Sequence, residues 1–95
     1  MNTFFMIGKY SNDSLKEMGV DRTQKSVRLI KELGGEVKSM YALLGGFDFI
    51  MIVELPTTEI AMKASLGLNI LTGISFSTFP AVSVDDFDRI IGEVG

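Results

Sequence analysis

Cysteine and histidine are both absent from this chain of 95 residues, and each absence excludes particular chemistry. Without cysteine there is no disulfide, no thiolate metal site and no cysteine nucleophile. Without histidine the chain lacks the commonest general base near neutral pH, the usual haem ligand and the nitrogen ligands of ordinary zinc sites. We therefore expect neither a metal site nor a cofactor.

Basic clusters and long apolar runs are also missing. The net charge is −3 and the basic residues are scattered, whereas a nucleic-acid-binding protein needs a basic patch to neutralise phosphates. The first apolar run is interrupted at Lys9, too early for a signal peptide. No run approaches the roughly 18 apolar residues of a membrane span. These absences predict a cytoplasmic protein with neither a nucleic-acid nor a membrane partner.

Apolar side chains, by contrast, are abundant and make up 46% of the chain. The length is that of one domain, which we place at residues 1–95. A domain this small has much surface per unit volume, so surplus apolar residues indicate a surface that is buried against another copy. We expect a homodimer or a higher homo-oligomer.

A β-hairpin is indicated at mid-chain by the segment Gly45–Asp48. Glycine adopts a positive φ at no steric cost, and aspartate can bond the backbone of its own turn. The turn joins two predicted strands, Glu36–Leu43 and Phe49–Leu55. Residues 49–53 are all apolar, and alternate side chains of a strand point to opposite faces. We therefore expect the second of these strands to be central and covered on both faces.

Helical periodicity, capping residues and turn residues predict the remaining elements. In chain order these are a strand at Thr3–Tyr10, a short turn capped by Ser14, a helix from Asp21 to Leu33, the hairpin, a helix from Pro56 to about Leu68, a loop at Asn69–Gly73, a strand at Ile74–Val82 bearing Pro80, and a final helix capped by Ser83. The predicted inner faces are Val20, Val27, Ile30 and Leu33 on the first helix and Ala61, Ala64, Ser65 and Leu68 on the second. Partial alternation in the second strand places Val37, Ser39, Tyr41 and Leu43 on one face and Lys38, Met40 and Ala42 on the other.

The order β-α-β-β-α-β predicts an α+β fold of the ferredoxin-like type with an added C-terminal helix. Right-handed crossovers then give a four-stranded antiparallel sheet with both main helices on one face. The strands are apolar on their other face as well. A second copy packing sheet to sheet is the simplest cover, and it would form a dimeric α/β barrel.

Short motifs spread over nearly the whole chain resemble those of the GYD-domain family, named for a Gly-Tyr-Asp motif at this same hairpin. The resemblance rests on Glu32-Leu33-Gly34-Gly35, Tyr41, Gly46-Phe47-Asp48, Glu54-Leu55-Pro56 and Gly67. In this chain Phe47 replaces the tyrosine of the motif, and Pro80 stands where the family often has an arginine. The resemblance implies the dimeric α/β-barrel superfamily, which includes monooxygenases, isomerases, haem enzymes and effector-binding domains.

Two functions are compatible with these observations. The first is a small homo-oligomeric domain that binds an apolar or aromatic small molecule, or serves as an assembly module, without turnover. The alternative is a cofactor-independent enzyme of the monooxygenase or isomerase kind, as the barrel relatives imply. Such an enzyme would need a cavity that holds at least one poised polar group, with Tyr41 and Asp48 the best candidates. A pocket in which a phenol and a carboxylate converge would favour it.

Four side chains are candidates for a ligand site: Tyr41, Tyr10, Asp48 and Arg28. A phenol facing a cavity between sheet and helices would donate to a bound carbonyl or phenol, although a tyrosine at the rim of a core is the commoner case. The carboxyl group would serve as a base if burial raised its pKa. The arginine would bind a carboxylate, or lie on the surface as most arginines do.

The hairpin residues Gly45, Gly46, Phe47 and Asp48 are interpreted as structural. We expect the phenylalanine to enter the core and the aspartate to bond backbone amides. Because phenylalanine here has no hydroxyl, the hairpin tip is a poor place to look for chemistry.

Overall fold

Four strands and four helices make up the computed structural model, which describes residues 1–95. Their bounds are β1 Asn2–Lys9, α1 Asn12–Glu17, α2 Val20–Glu32, β2 Glu36–Ala42, β3 Phe49–Leu55, α3 Thr58–Thr72, β4 Ser75–Ala81 and α4 Val84–Val94. All strand pairs are antiparallel, and the sheet order is β2-β3-β1-β4. The predicted α+β fold with its βαββαβ order and C-terminal helix is confirmed. None of the helices has the length and apolar character needed to cross a membrane.

The two central strands are β3, as predicted, and β1. They pair along their whole length, with Phe5 opposite Ile52 and Met6 opposite Met51. Pro80 lies in β4, an edge strand, where a residue that cannot donate a hydrogen bond is tolerated. The unbroken apolar sequence of β3 thus corresponds to its position inside the sheet.

The core lies between the sheet and the helix pair α2 and α3. Its fully buried side chains come from β1, β3 and the two helices: Phe4, Met6, Ile30, Met51, Val53, Leu55, Ala61, Ala64 and Leu68. The small residues of α3 let this helix lie close to the sheet. Gly67 lets it approach α2, because an added Cβ would be 3.1 Å from Leu29 Cδ1. Three of the four predicted inner residues of α3 are buried, and Ser65 is half-buried.

Several predicted helix ends are wrong. Ser11, not Ser14, caps α1: its Oγ accepts from the Ser14 amide at 3.0 Å while Ser14 Oγ accepts from the Ser11 amide at 2.7 Å. Val20 begins α2 and is 75% exposed rather than buried. Residues 69–72, predicted as a loop, continue α3 to Gly73, whose φ of 73° ends the helix. The sequence marks that end only by the glycine.

The predicted alternation in β2 is also wrong, because a β-bulge separates Val37 from Ser39. Val37 pairs with Val53 and Met40 pairs with Met51, so these side chains lie on the helix side of the sheet. Ser39 and Tyr41 lie on the opposite side. A bulge adds one unpaired residue and reverses the alternation after it, which a period-two pattern cannot predict.

Helix α4 extends away from the rest of the protein. Ser83 caps it, as predicted, by accepting from the Asp86 amide at 3.1 Å. None of its residues is buried, and it makes almost no contact with other elements. The radius of gyration is 14.4 Å, against about 12 Å for a compact domain of this length. An amphipathic helix is therefore left without a partner in its own chain.

Candidate functional site

Asp48 makes three hydrogen bonds, two that connect the hairpin to the end of β1 and one within the hairpin. Its Oδ2 accepts from the Tyr10 backbone amide at 2.9 Å, and its own amide donates to the Gly8 carbonyl at 2.9 Å. Its carbonyl accepts from the Leu43 amide at 2.8 Å. The carboxylate thus bonds a backbone amide, as expected, although the amide belongs to Tyr10, the residue after β1, and not to the turn. This arrangement holds three segments of backbone together.

The hairpin tip itself lies on the surface. Gly45 has a φ of 138°, a conformation that only glycine adopts readily. Phe47 is 49% exposed and does not enter the core, contrary to expectation, and Leu44 beside it is fully exposed. The tip is therefore an apolar projection with no polar side chain other than Asp48.

Tyr10 lies on the helix side of the sheet, next to the hairpin. Its ring centroid is 6.4 Å from that of Phe49, which in turn lies 6.2 Å from Phe76. Gly8 lies between Phe49 and Phe76 in the sheet, because it pairs with both residues. A Cβ at Gly8 would meet Ile74 and Phe76. Burial, and to a smaller extent the Asp48 carboxylate, raises the pKa of the Tyr10 phenol above its ordinary value. The aromatic rings fill the space that a ligand would need.

Tyr41 and Arg28 lie elsewhere. Tyr41 is 57% exposed on the sheet face opposite the helices, where it pairs with Ile50. Arg28 is exposed and lines a shallow groove with Leu29 and Leu71 between α2 and α3. The structure brings Tyr10 and Asp48 together, but Tyr41 and Arg28 lie on different surfaces. None of the four cavities is lined by either tyrosine or by Asp48.

The uncovered side of the sheet forms an apolar surface that we call the open face. It consists of the half-buried or exposed side chains of Phe5, Ile7, Tyr41, Ile50, Ile52 and Phe79. The pairing register makes it continuous: Phe5 is opposite both Ile52 and Phe79, and Ile50 is opposite both Ile7 and Tyr41. No helix covers it, because α2 and α3 lie on the other side.

A second feature is a cavity between α3 and β4, which we call the α3–β4 pocket. It has a volume of about 230 Å³ and is lined by Phe4, Thr58, Ala61, Met62, Ser65, Leu66, Thr78 and Pro80. Thr78 Oγ1 is buried and has no hydrogen-bond partner. The pocket opens towards a larger depression of about 510 Å³, whose walls include Thr58 and Pro80 again. We call this depression the mouth.

Sequence reasoning missed this pocket. The signal was present in the small residues Ala61 and Ser65, one turn apart on α3, facing an edge strand interrupted by Pro80. Small residues on the inner face of a helix indicate, by themselves, only that the helix lies close to its sheet. Whether packing of small residues leaves a cavity depends on the tilt of the helix over the strand, which a sequence pattern does not specify.

Comparisons with known proteins agree with this architecture. A family model of the GYD domain matches residues 4–91. Among solved structures, the Mycobacterium tuberculosis leucine response regulatory protein superposes with a TM-score of 0.62 at 13% identity. The match covers 86% of this chain and 51% of that one, so this chain spans about half the length of that regulator. At this identity the likeness shows a shared fold and nothing finer. A search of curated proteins finds no match.

Proposed function

Since the chain belongs to the GYD-domain family, we propose that it is a self-associating domain that pairs with a second copy through the open face and binds a small apolar molecule without turnover. The proposed pairing rests on one observation, the continuous apolar surface on the uncovered side of the sheet. The α3–β4 pocket supports the second part.

The free energy gained by burying apolar side chains favours packing of another protein surface against the open face. Full burial of one large apolar side chain is worth roughly 1.5–3 kcal/mol relative to exposure. Tyr41 and Phe79 are still 57% and 51% exposed, and four further apolar side chains lie between them. Sheets that pack face to face lie about 10 Å apart, which lets such side chains interdigitate.

A second copy matches this surface better than an unrelated partner does. The open face carries no charged side chain at its centre, so its partner must be equally apolar, and an identical open face meets that requirement. A two-fold axis makes the contact self-complementary, with Phe5 and Ile52 of each copy near the axis.

The enzyme alternative receives less support. It needs a cavity that holds at least one poised polar group, and the best candidates do not provide one, because Tyr41 lies on the open face and Asp48 is engaged with the Tyr10 amide. The space near Tyr10 is occupied by aromatic rings. A binding role without turnover is therefore the better account of these residues.

Light scattering coupled to size-exclusion chromatography tests the pairing. The wild-type protein is expected at twice the chain mass of 10.4 kDa. Ile52→Glu places a charge at the centre of the open face and should give a folded monomer. The matched control is Ile70→Glu, because Ile70 is 85% exposed on α3, away from the open face, and its variant should remain dimeric. A monomeric wild-type protein would refute the proposal.

A further inference from the structure

The α3–β4 pocket combines an apolar lining with one buried hydroxyl that lacks a partner. Thr78 Oγ1 is the only buried side-chain nitrogen or oxygen in the protein without a hydrogen bond. Buried polar groups nearly always have a partner, and an exception calls for an explanation such as an unseen water or ligand. Thr72 shows the ordinary situation nearby, since its buried Oγ1 donates to the Leu68 carbonyl at 2.7 Å and accepts from the Ile74 amide at 3.1 Å.

The position of Thr78 explains why nothing in the chain satisfies it. It lies in β4 on the helix side of the sheet, opposite Met6, and faces α3 across the pocket. The α3 residues on the pocket wall are Ala61, Met62, Ser65 and Leu66, which are mostly apolar. Rotation by about 120° about the Cα–Cβ bond moves a threonine hydroxyl to one of the other two staggered positions, which are those now held by the methyl group and the β hydrogen. A molecule in the pocket that carries a hydroxyl or carbonyl group would then supply the missing partner.

The size of the pocket limits the ligand. A dry apolar cavity of roughly 150 Å³ accepts benzene. At about 230 Å³ the α3–β4 pocket holds a single aromatic ring with one or two small substituents. A fused ring system or a long chain would have to extend into the mouth.

The charges around the pocket limit the ligand further. The α3–β4 pocket is lined by no charged residue, whereas its mouth is bordered by the Met1 α-amino group and by Asp86, whose Oδ1 lies 3.7 Å from Arg89 Nη2. Inside the pocket itself an anionic group would lose its hydration without a counter-ion, and an ammonium group would find no carboxylate. The part of the ligand that enters the pocket must therefore be uncharged.

We propose that the α3–β4 pocket binds an uncharged monocyclic aromatic molecule that carries a hydroxyl or carbonyl group, with Thr78 as its hydrogen-bond partner. This inference deepens the ligand-binding part of the proposed function. It is independent of pairing through the open face, because the pocket lies on the helix side of the sheet.

Three aromatic probes of similar size separate the contribution of a hydroxyl group to binding from the effect of a negative charge. p-Cresol has a hydroxyl group, toluene has none, and benzoate carries a negative charge. Titration of the ¹⁵N-labelled full chain, followed by amide chemical shifts, reports both the affinity and the place of binding. We expect shifts at Ala61, Ser65 and Thr78, with p-cresol bound about fivefold to tenfold more tightly than toluene and benzoate bound most weakly.

Two variants make the test specific. Thr78→Val keeps the shape of the side chain and removes the hydroxyl, so the preference for p-cresol over toluene should disappear while toluene binding remains. Ser65→Phe fills the pocket and should abolish binding of both probes. Ser75→Val, at the exposed start of the same strand, is the control and should behave as the wild type.

Three results would overturn the inference. These are shifts that map outside the pocket, a p-cresol preference that persists in Thr78→Val, or no binding of any probe to the wild-type protein. Each can occur while light scattering still shows a dimer, so a failure here is distinguishable from a failure of the pairing proposal.

Discussion

The backbone amide of Tyr10 donates a hydrogen bond of 2.9 Å to Oδ2 of Asp48, a residue 38 positions later in the chain. This contact joins the end of β1 to the hairpin between β2 and β3. It gives a structural reason for an aspartate at this hairpin, and it involves neither the side chain of Phe47 nor any cavity. We therefore expect the hairpin motif to stabilise the fold, and we expect phenylalanine to serve at position 47 as well as tyrosine would.

Replacement of Asp48 tests this role. Asp48→Ala leaves the Tyr10 amide without its acceptor and should lower the free energy of unfolding by about 1–3 kcal/mol. Asp48→Asn retains an amide oxygen at the same position and should cost less. Urea denaturation measures both. Asp88→Ala on α4 is the control and should be nearly neutral; equal losses in all three variants would contradict the role.

The raised pKa of Tyr10 makes stability depend on pH in the alkaline range. The pKa is raised in the folded protein by burial and by Asp48, whereas an unfolded tyrosine ionises at about 10. Below that pH both states keep the proton and stability is unaffected. Above it the unfolded state loses the proton first, so the free energy of unfolding falls as pH rises. Thermal unfolding between neutral and strongly alkaline pH should show this fall, and Tyr10→Phe should reduce it.

Absorbance of the ionised phenol checks the pKa itself. In Tyr41→Phe the only remaining phenol is Tyr10, so its titration is observed alone. The midpoint should lie above that of a tyrosine model peptide, and Asp48→Asn in the same background should move it down. A midpoint equal to that of the model peptide would show that the phenol is not buried.

Thr78 and Thr72 should respond in opposite directions to the same substitution. Thr78→Val removes a buried hydroxyl that has no partner, so the ligand-free protein should become more stable by about 1 kcal/mol. Thr72→Val removes a hydroxyl with two hydrogen bonds and should destabilise by a similar amount or more. Chemical denaturation of the pair measures the difference. Destabilisation by both changes would mean that Thr78 has a partner.

Gly35 should tolerate no side chain. A Cβ at this position would collide with the backbone carbonyl oxygen of Glu54 and lie 2.5 Å from Leu55 Cδ2. Since backbone in the central strand cannot yield cheaply, Gly35→Ala should destabilise by about 2 kcal/mol or more, as overpacking and backbone shifts do. Gly46→Ala is the matched control, because an added Cβ there meets nothing within 4 Å. Melting temperatures of the two variants give the comparison.

Sequence patterns predicted the structural elements that depend on residues close together in the chain. Five consecutive apolar residues placed Phe49–Leu55 inside the sheet, and the glycines after α2 and within the hairpin fixed two chain reversals. The bulge after Val37 was not predictable, because the hydrogen-bond register with β3 decides which residue of β2 remains unpaired. It determined the placement of Tyr41, which therefore lies on the open face and not towards the helices. The unpartnered hydroxyl of Thr78 likewise depends on how α3 lies over β4.

Pairing through the open face is the central claim, and nuclear Overhauser effects between copies test it most directly. A mixture of isotope-labelled and unlabelled protein restricts the signal to contacts between two chains. We predict such contacts among the side chains of Phe5, Ile7, Ile50 and Ile52. Intermolecular contacts confined to the outer surface of α3, around Ile70, or the absence of any intermolecular contact, would contradict the account.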